Sequence, residues 1–163
     1  YVPRLVRDSA RLLADAVEHY TFISTISVYG QFDIVGMDEN GPLGTIEDET
    51  VEEINGDTYG PLKVLCEKEA TAAMEGRALH VRSGLIVGPH DVSDRFSYWP
   101  FRVAQRGEVL APGNPEAPVQ FVDVRDIAEW TIRATEVRLT GPYNVTGVDD
   151  ASLVGDLSSS QQQ

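Results

Sequence analysis

The sequence predicts an α/β protein built on a mostly parallel sheet. Helical stretches alternate with short strands rich in β-branched and aromatic residues, the order expected of a parallel sheet with helices on its faces. The chain's 163 residues and 42% hydrophobic content suffice for one domain with a real core. No internal repeat breaks the alternation.

Residues 3–19 read as an amphipathic helix. Leu5, Val6, Leu12, Leu13, Ala16 and Val17 fall on one side, and Arg4, Arg7, Asp8, Arg11 and Asp15 mostly on the other. Residues 20–28 read as a buried strand. Residues 30–57 are punctuated by glycine and proline and read as a loop, with one helical turn at 49–54; so long a loop in a compact domain is a functional or mobile one. A second helix spans 58–75, with Thr58 as its cap and Pro61 in its first turn, where a missing N–H is harmless. Residues 78–84 form a strand and 85–94 a turn-rich loop. A short helix over 98–106, a short strand over 108–110, a turn over 113–118 and a strand over 119–122 follow. Asp123 then opens a helix running to about Val137, and Asp126 adds favourable negative charge to its first turn. Residues 142–145 form the last strand, and a polar tail begins at Ala151.

Composition excludes several functions. The formal net charge is −13, which opposes direct nucleic-acid binding. No apolar run reaches the ~18 residues of a membrane span, and no signal peptide is visible. The lone cysteine, Cys66, cannot form an internal disulfide; it reads as a small buried apolar residue and fits a reducing, cytoplasmic compartment. His19, His80 and His90 are too scattered for a zinc site, so no metal is expected. Residues 30–57 hold nine acids and no Lys or Arg. They read as a solvated loop, with a cation site or a partner-facing patch as alternatives. Lys63 and Lys68 are the only lysines, so the place of each is informative.

Four segments carry the chemistry: Phe22-Ile-Ser-Thr-Ile-Ser-Val-Tyr-Gly30, Tyr59-Gly-Pro-Leu-Lys63, Arg82-Ser-Gly-Leu-Ile-Val-Gly-Pro89 and Phe121-Val-Asp-Val-Arg-Asp-Ile-Ala128. In that order they resemble the extended short-chain dehydrogenase/reductase family, the NAD-dependent epimerases and dehydratases, over most of residues 3–146. The second matches Y-x-x-x-K, a weak signal alone and much stronger with the other three. The resemblance implies a partial Rossmann-like, doubly wound sheet with a small C-terminal substrate-binding region. It makes Thr25, Tyr59 and Lys63 the catalytic triad, with NAD or NADP as cofactor. Ser24, Tyr59, Lys63, Arg82, Ser83, Gly84, Leu85 and Val87 would contact that cofactor. Ser27, Tyr29, Arg102 and Arg106 would contact a small-molecule substrate. The corresponding segments are 1–84 for the dinucleotide-binding part, 85–122 for the substrate region, 123–150 for a returning helix and strand, and 151–163 for the tail. Helices 3–19 and 58–75 would pair in a homodimer.

Elementary chemistry supports the Tyr–Lys pair. Residues i and i+4 share a helix face. An ammonium near a phenol favours the phenolate and lowers a pKa of ~10. A tyrosine so tuned can exchange a proton with a substrate hydroxyl or carbonyl. The plainer alternative is a half-buried Tyr59 and a Lys63 paired with Glu67. For Thr25 the alternative is a β-branched strand residue, and Ser24 or Ser27 could share its polar role.

The chain departs from the family in three ways. It lacks the G-x-x-G-x-x-G strand–helix unit that binds the pyrophosphate, so cofactor binding is expected to be weak or absent. Val119 stands where sugar-nucleotide members often carry a diphosphate-binding Arg, and Ser83 where proline is usual. The chain begins at Tyr1 rather than Met, so it reads as a fragment or a shortened relative. An incomplete sheet would leave an open edge that favours association. The alternative function is a non-catalytic module, derived from the same fold, that binds a protein partner or itself.

Overall fold

The computed structural model describes residues 1–34, 36–110 and 120–147. The expected 113–118 turn, Val119 and the polar tail lie outside the described residues.

Helix α1 (Pro3–Leu13) is shorter than the periodicity predicts. Arg77, in the turn before β2, donates to the carbonyls of Ala14 (2.9 Å) and Val17 (2.5 Å). Those groups are thereby satisfied outside a helix, which ends the element. Strand β1 (Tyr20–Thr25) also stops early. The Thr25 hydroxyl accepts from the Ser27 N–H at 3.2 Å, and residues 26–28 wind into a 3₁₀ turn. Helix α2 (Tyr59–Met74) has Pro61 in its first turn, as expected. Thr58 does not cap it: its hydroxyl donates to the Glu53 carbonyl at 2.6 Å and accepts from the Asn55 N–H at 3.0 Å.

Strand β2 (Ala78–Ser83) is buried at every position. The loop expected over 85–94 instead opens with strand β3 (Leu85–Val87). Helix α3 (Tyr98–Ala104) follows, and residues 108–110 form no strand. Strand β4 (Phe121–Asp123) leads into α4 (Val124–Glu136). Asp123 caps α4 as predicted, accepting from the Arg125 N–H at 2.8 Å; the Arg125 side chain and that N–H hold its carboxyl down to about 2. Strand β5 (Gly141–Val145) closes the described chain.

All pairings between these strands are parallel. One sheet has the order β1-β2-β5, with Thr25 beside Ser83 and Ser83 beside Val145; the other pairs β3 with β4. Among the described residues β1 is an edge strand. Alternation along β2 separates two layers. Leu79 and Val81 pack with Val122, Ile127, Ala134 and Val145 beneath α4. Ala78, His80 and Arg82 face the helices of the other side, where Val6, Cys66 and Ala70 pack against Tyr20 and Phe22. Cys66 is fully buried, as its small apolar reading requires. Leu5 and Leu12, one heptad apart on α1, remain exposed.

A buried ion pair ties these pieces together. Arg82 on β2 and Glu67 on α2 form a two-pronged contact at 3.1 and 2.7 Å, with both side chains under 10% exposed. Ser24 of β1 donates to the same carboxylate at 2.6 Å. The remaining prong of Arg82 reaches the Tyr29 hydroxyl (3.0 Å) and the Glu39 carbonyl (3.1 Å). Tyr29 in turn donates to Asn144 of β5 at 2.7 Å. The Glu39 carboxylate accepts from the Asn144 N–H at 2.7 Å. Part of the acidic loop is thus pinned to the sheet rather than solvated. Glu67 belongs to Arg82 and not to Lys63.

Two outcomes follow from this core. Glu67→Ala strands a buried guanidinium and should cost about 3–5 kcal/mol in urea unfolding, while the double variant Glu67→Leu, Arg82→Met should recover much of that. His80 is buried, with Nε2 on the Thr71 hydroxyl at 2.7 Å and Nδ1 unpartnered, and burial lowers its pKa. The unfolded chain therefore takes up this proton first. The stability it contributes is complete above the ordinary histidine value of ~6.5 and is lost as pH falls below it. Melting curves recorded across that range should show a slope that His80→Gln reduces.

Candidate active site

The C-terminal ends of β1 and β2 and the first turns of α2 enclose a cavity of about 540 Å³. Ligands of open α/β sheets bind at such strand ends. Thr25, Tyr59 and Lys63 all border it, together with Ser83, Gly84, Leu85 and Ile86. The closeness of α2 to the 3₁₀ turn depends on Gly60, where a Cβ would lie 2.2 Å from the Ser27 carbonyl. No side chain larger than hydrogen fits there, so Tyr59 is held directly against residues 25–27.

Lys63 is 4% exposed, and its ammonium donates to the Ile23 carbonyl at 2.6 Å. It lies 4.2 Å from the centre of the Phe22 ring and 5.3 Å from that of Tyr1. Burial lowers its pKa, and Cys66 and Glu67 pull it back up. The Tyr59 phenol moves the other way from the sequence expectation: its pKa is raised, not lowered. Burial is the main cause; the Thr25 hydroxyl opposes it, Tyr1 adds to it and the Arg95 charge opposes it. The Lys63 ammonium meanwhile faces the Ile23 carbonyl and the Phe22 ring.

The other expected site residues divide. Ser24 and Ser27 border the cavity, but the Ser24 hydroxyl is engaged with Glu67, and Ser27 also borders a neighbouring cavity beside Tyr29. Arg82 does not border this cavity, and its guanidinium is consumed in the buried network; Tyr29 borders the neighbouring cavity, which Ser27 and Tyr59 also border, and its hydroxyl is held between Arg82 and Asn144. Val87 lines a different cavity beyond β3. Arg102 and Arg106 lie at α3, where Arg102 donates to the backbone carbonyls of Arg106 (3.1 Å) and Glu108, and neither borders the Tyr59 cavity. Sequence reasoning missed five residues that do: Tyr1, Ile23, Ile26, Ile86 and Arg95. Ile23, Ile26 and Ile86 lie inside the quoted segments, as apolar neighbours of the residues singled out there. Arg95 sits in an irregular segment with no periodicity to mark it. Tyr1, whose ring lies 5.7 Å from that of Tyr59, carried no signal at all.

No family model matches the chain, and no curated protein matches it. Solved structures do. UDP-glucuronic acid 4-epimerase from Bacillus cereus, in complex with NAD, aligns at 18% identity with a TM-score of 0.67, over 88% of this chain and 46% of that one. dTDP-4-dehydrorhamnose reductase from Yersinia enterocolitica aligns at 15% identity and TM-score 0.65, over 86% and 46%. UDP-N-acetylglucosamine 4-epimerase from Methanobrevibacter ruminantium aligns at 20% identity and TM-score 0.62, over 85% and 46%. The chain therefore spans a little under half the length of the solved structures it matches. Identities this low establish the fold alone: a mostly parallel, Rossmann-like α/β arrangement shared with part of these two epimerases and the reductase.

Proposed function

We propose that this chain is the acid–base half of an NAD(P)-dependent oxidoreductase of the extended short-chain epimerase, dehydratase and reductase type. The observation that carries the reading is the convergence of Thr25, Tyr59 and Lys63, from two different elements, on one cavity at the strand ends. Tyr59 is the proton donor. A phenol is protonated at neutral pH, and burial only strengthens its hold on the proton, so Tyr59 has a proton to give to a carbonyl oxygen. Thr25, beside that phenol, orients the substrate oxygen. Working in the alcohol-to-carbonyl direction calls for the ammonium of Lys63 to favour the phenolate, and one of its three N–H donors is held by the Ile23 carbonyl.

The donor set fits the nicotinamide end of a dinucleotide. Lys63 has three N–H donors and uses one on protein, which leaves two for ribose hydroxyls. Ser83, Gly84 and Leu85 border the same cavity. The bound cofactor would supply the hydride donor or acceptor. The pyrophosphate has no glycine-rich cradle in this chain, so the residues present fit one end of the cofactor only.

A second reading keeps the fold as a non-catalytic binding module. It is favoured by Tyr1, whose ring borders the cavity and lies near both Tyr59 and the Lys63 ammonium.

Two measurements separate the readings. Titrating NADH and NADPH against the fluorescence of Trp99 and Trp130 should show saturation for the oxidoreductase; a flat titration up to millimolar cofactor leaves the binding module. Tyr59→Phe should then lower turnover by roughly 10²–10⁴-fold with cofactor affinity preserved. Unchanged turnover in that variant would dismiss Tyr59 as the acid.

A further inference from the structure

The cavity at Tyr59 has a charge balance opposite to that of the chain. The sequence holds 26 acids against 13 lysines and arginines, for a net charge of −13. Among the described residues bordering this cavity there is no Asp or Glu, and there are two cations, Lys63 and Arg95. Ile23, Ile26, Leu85 and Ile86 supply apolar wall between them. A concavity lined by one sign of charge, with low-dielectric walls, concentrates ions of the other sign.

The two cations are not equally free. Lys63 is buried, gives one donor to Ile23, and has its other two assigned above to a ribose. Arg95 is exposed, and its Nε donates to the Ser93 hydroxyl at 3.0 Å. Ser93 is itself anchored: its hydroxyl donates to Asp91 Oδ1, which also accepts from the Ser93 N–H at 3.0 Å. Among the described residues Arg95 is in no ion pair and makes no further side-chain hydrogen bond. A guanidinium held at Nε keeps its outer fork, whose two parallel N–H groups match a carboxylate. Its charge also reaches the phenol. Burial is what chiefly raises the Tyr59 pKa, and Arg95 works against that rise. The shared cavity and this field both put Arg95 beside the proton donor. One free guanidinium balances one negative charge, whereas a diphosphate brings at least two.

We propose that Arg95 anchors the substrate by a carboxylate, so that the cavity takes an oxo acid whose carbonyl oxygen meets Tyr59. The apolar wall then takes the hydrocarbon part of that acid. The assignment deepens the proposed function. It rests on that reading for the place of the carbonyl, and not for the anion site at Arg95.

The test measures binding without turnover. α-Ketoisocaproate, an oxo acid with an isobutyl tail, is titrated into the purified protein with ring-labelled tyrosine. Its neutral methyl ester and UDP-glucose are titrated in parallel. The acid should shift the Tyr59 signals and bind about tenfold or more tighter than the ester. Arg95→Gln should raise the Kd of the acid about tenfold and leave that of the ester within about twofold. Arg95 is exposed, so its replacement does not threaten the core. Arg95→Lys keeps the charge without the fork and should restore part of the affinity. No binding of the acid, equal affinity for acid and ester, an unchanged Kd in Arg95→Gln, or tighter binding of UDP-glucose would overturn the assignment. Turnover of Tyr59→Phe is read separately. If that variant kept full turnover while Arg95 still selected the acid, the acid–base reading would fall and the anion site would stand. Lost turnover there, with acid and ester bound alike, would remove the anion site and leave the acid–base reading.

Discussion

The structure depends on one buried contact, the two-pronged bond between Glu67 and Arg82. It joins a helix to a strand across the sheet face, and its spare capacity reaches three more segments. Ser24 of β1, Tyr29 beyond it and the Glu39 carbonyl of the long loop all bond to one or other partner. Desolvating two charges is expensive, and such a pair is tolerable only when every remaining donor and acceptor is satisfied. Here that condition fixes where α2 sits on β1 and β2. The same placement brings Tyr59 and Lys63, at the start of α2, to the end of β1. The cavity is thus a consequence of a structural interaction that takes no part in it.

Inside the cavity, burial outweighs charge. The simplest expectation from i,i+4 spacing is an ammonium that draws protons off a neighbouring phenol. The structure separates the two functions. Lys63 spends its nearest donor on the Ile23 carbonyl and stands over an aromatic ring, so its charge is stabilised locally. Tyr59, half-buried and touched mainly by neutral groups, keeps its proton more firmly than a free tyrosine. A shared helix face brings two side chains to the same region, but it does not decide which atoms they meet.

Much of the architecture is legible in the residues, and the reasons for the exceptions are local. The α2 boundaries follow from Pro61 and the αL turn at Glu75, and the start of α4 from the Asp123 cap. Periodicity overran the end of α1 because Arg77, distant in sequence, takes up the carbonyls that would continue it. It overran β1 because a side-chain hydroxyl at Thr25 offers the backbone another partner. A three-residue strand such as β3 is too short for alternation to register. For the candidate site, the resemblance pointed to Thr25, Tyr59, Lys63 and residues 83–85, and the fold brings them to one cavity. The resemblance also drew in Arg82 and Tyr29, whose polar groups prove structural. Only coordinates could show that, because an arginine beside a ligand pocket and one sealed under a helix read alike in sequence.

The central claim is that the Tyr59 phenol is a half-buried proton donor whose pKa burial raises and the Thr25 hydroxyl holds back. Carbon-detected titration of ring-labelled tyrosine measures this directly, in the wild type and in Thr25→Val. The account predicts a Tyr59 pKa above the ordinary ~10 and a further rise when the Thr25 hydroxyl is removed. A Tyr59 pKa at or below the ordinary value, or one indifferent to Thr25, would contradict it.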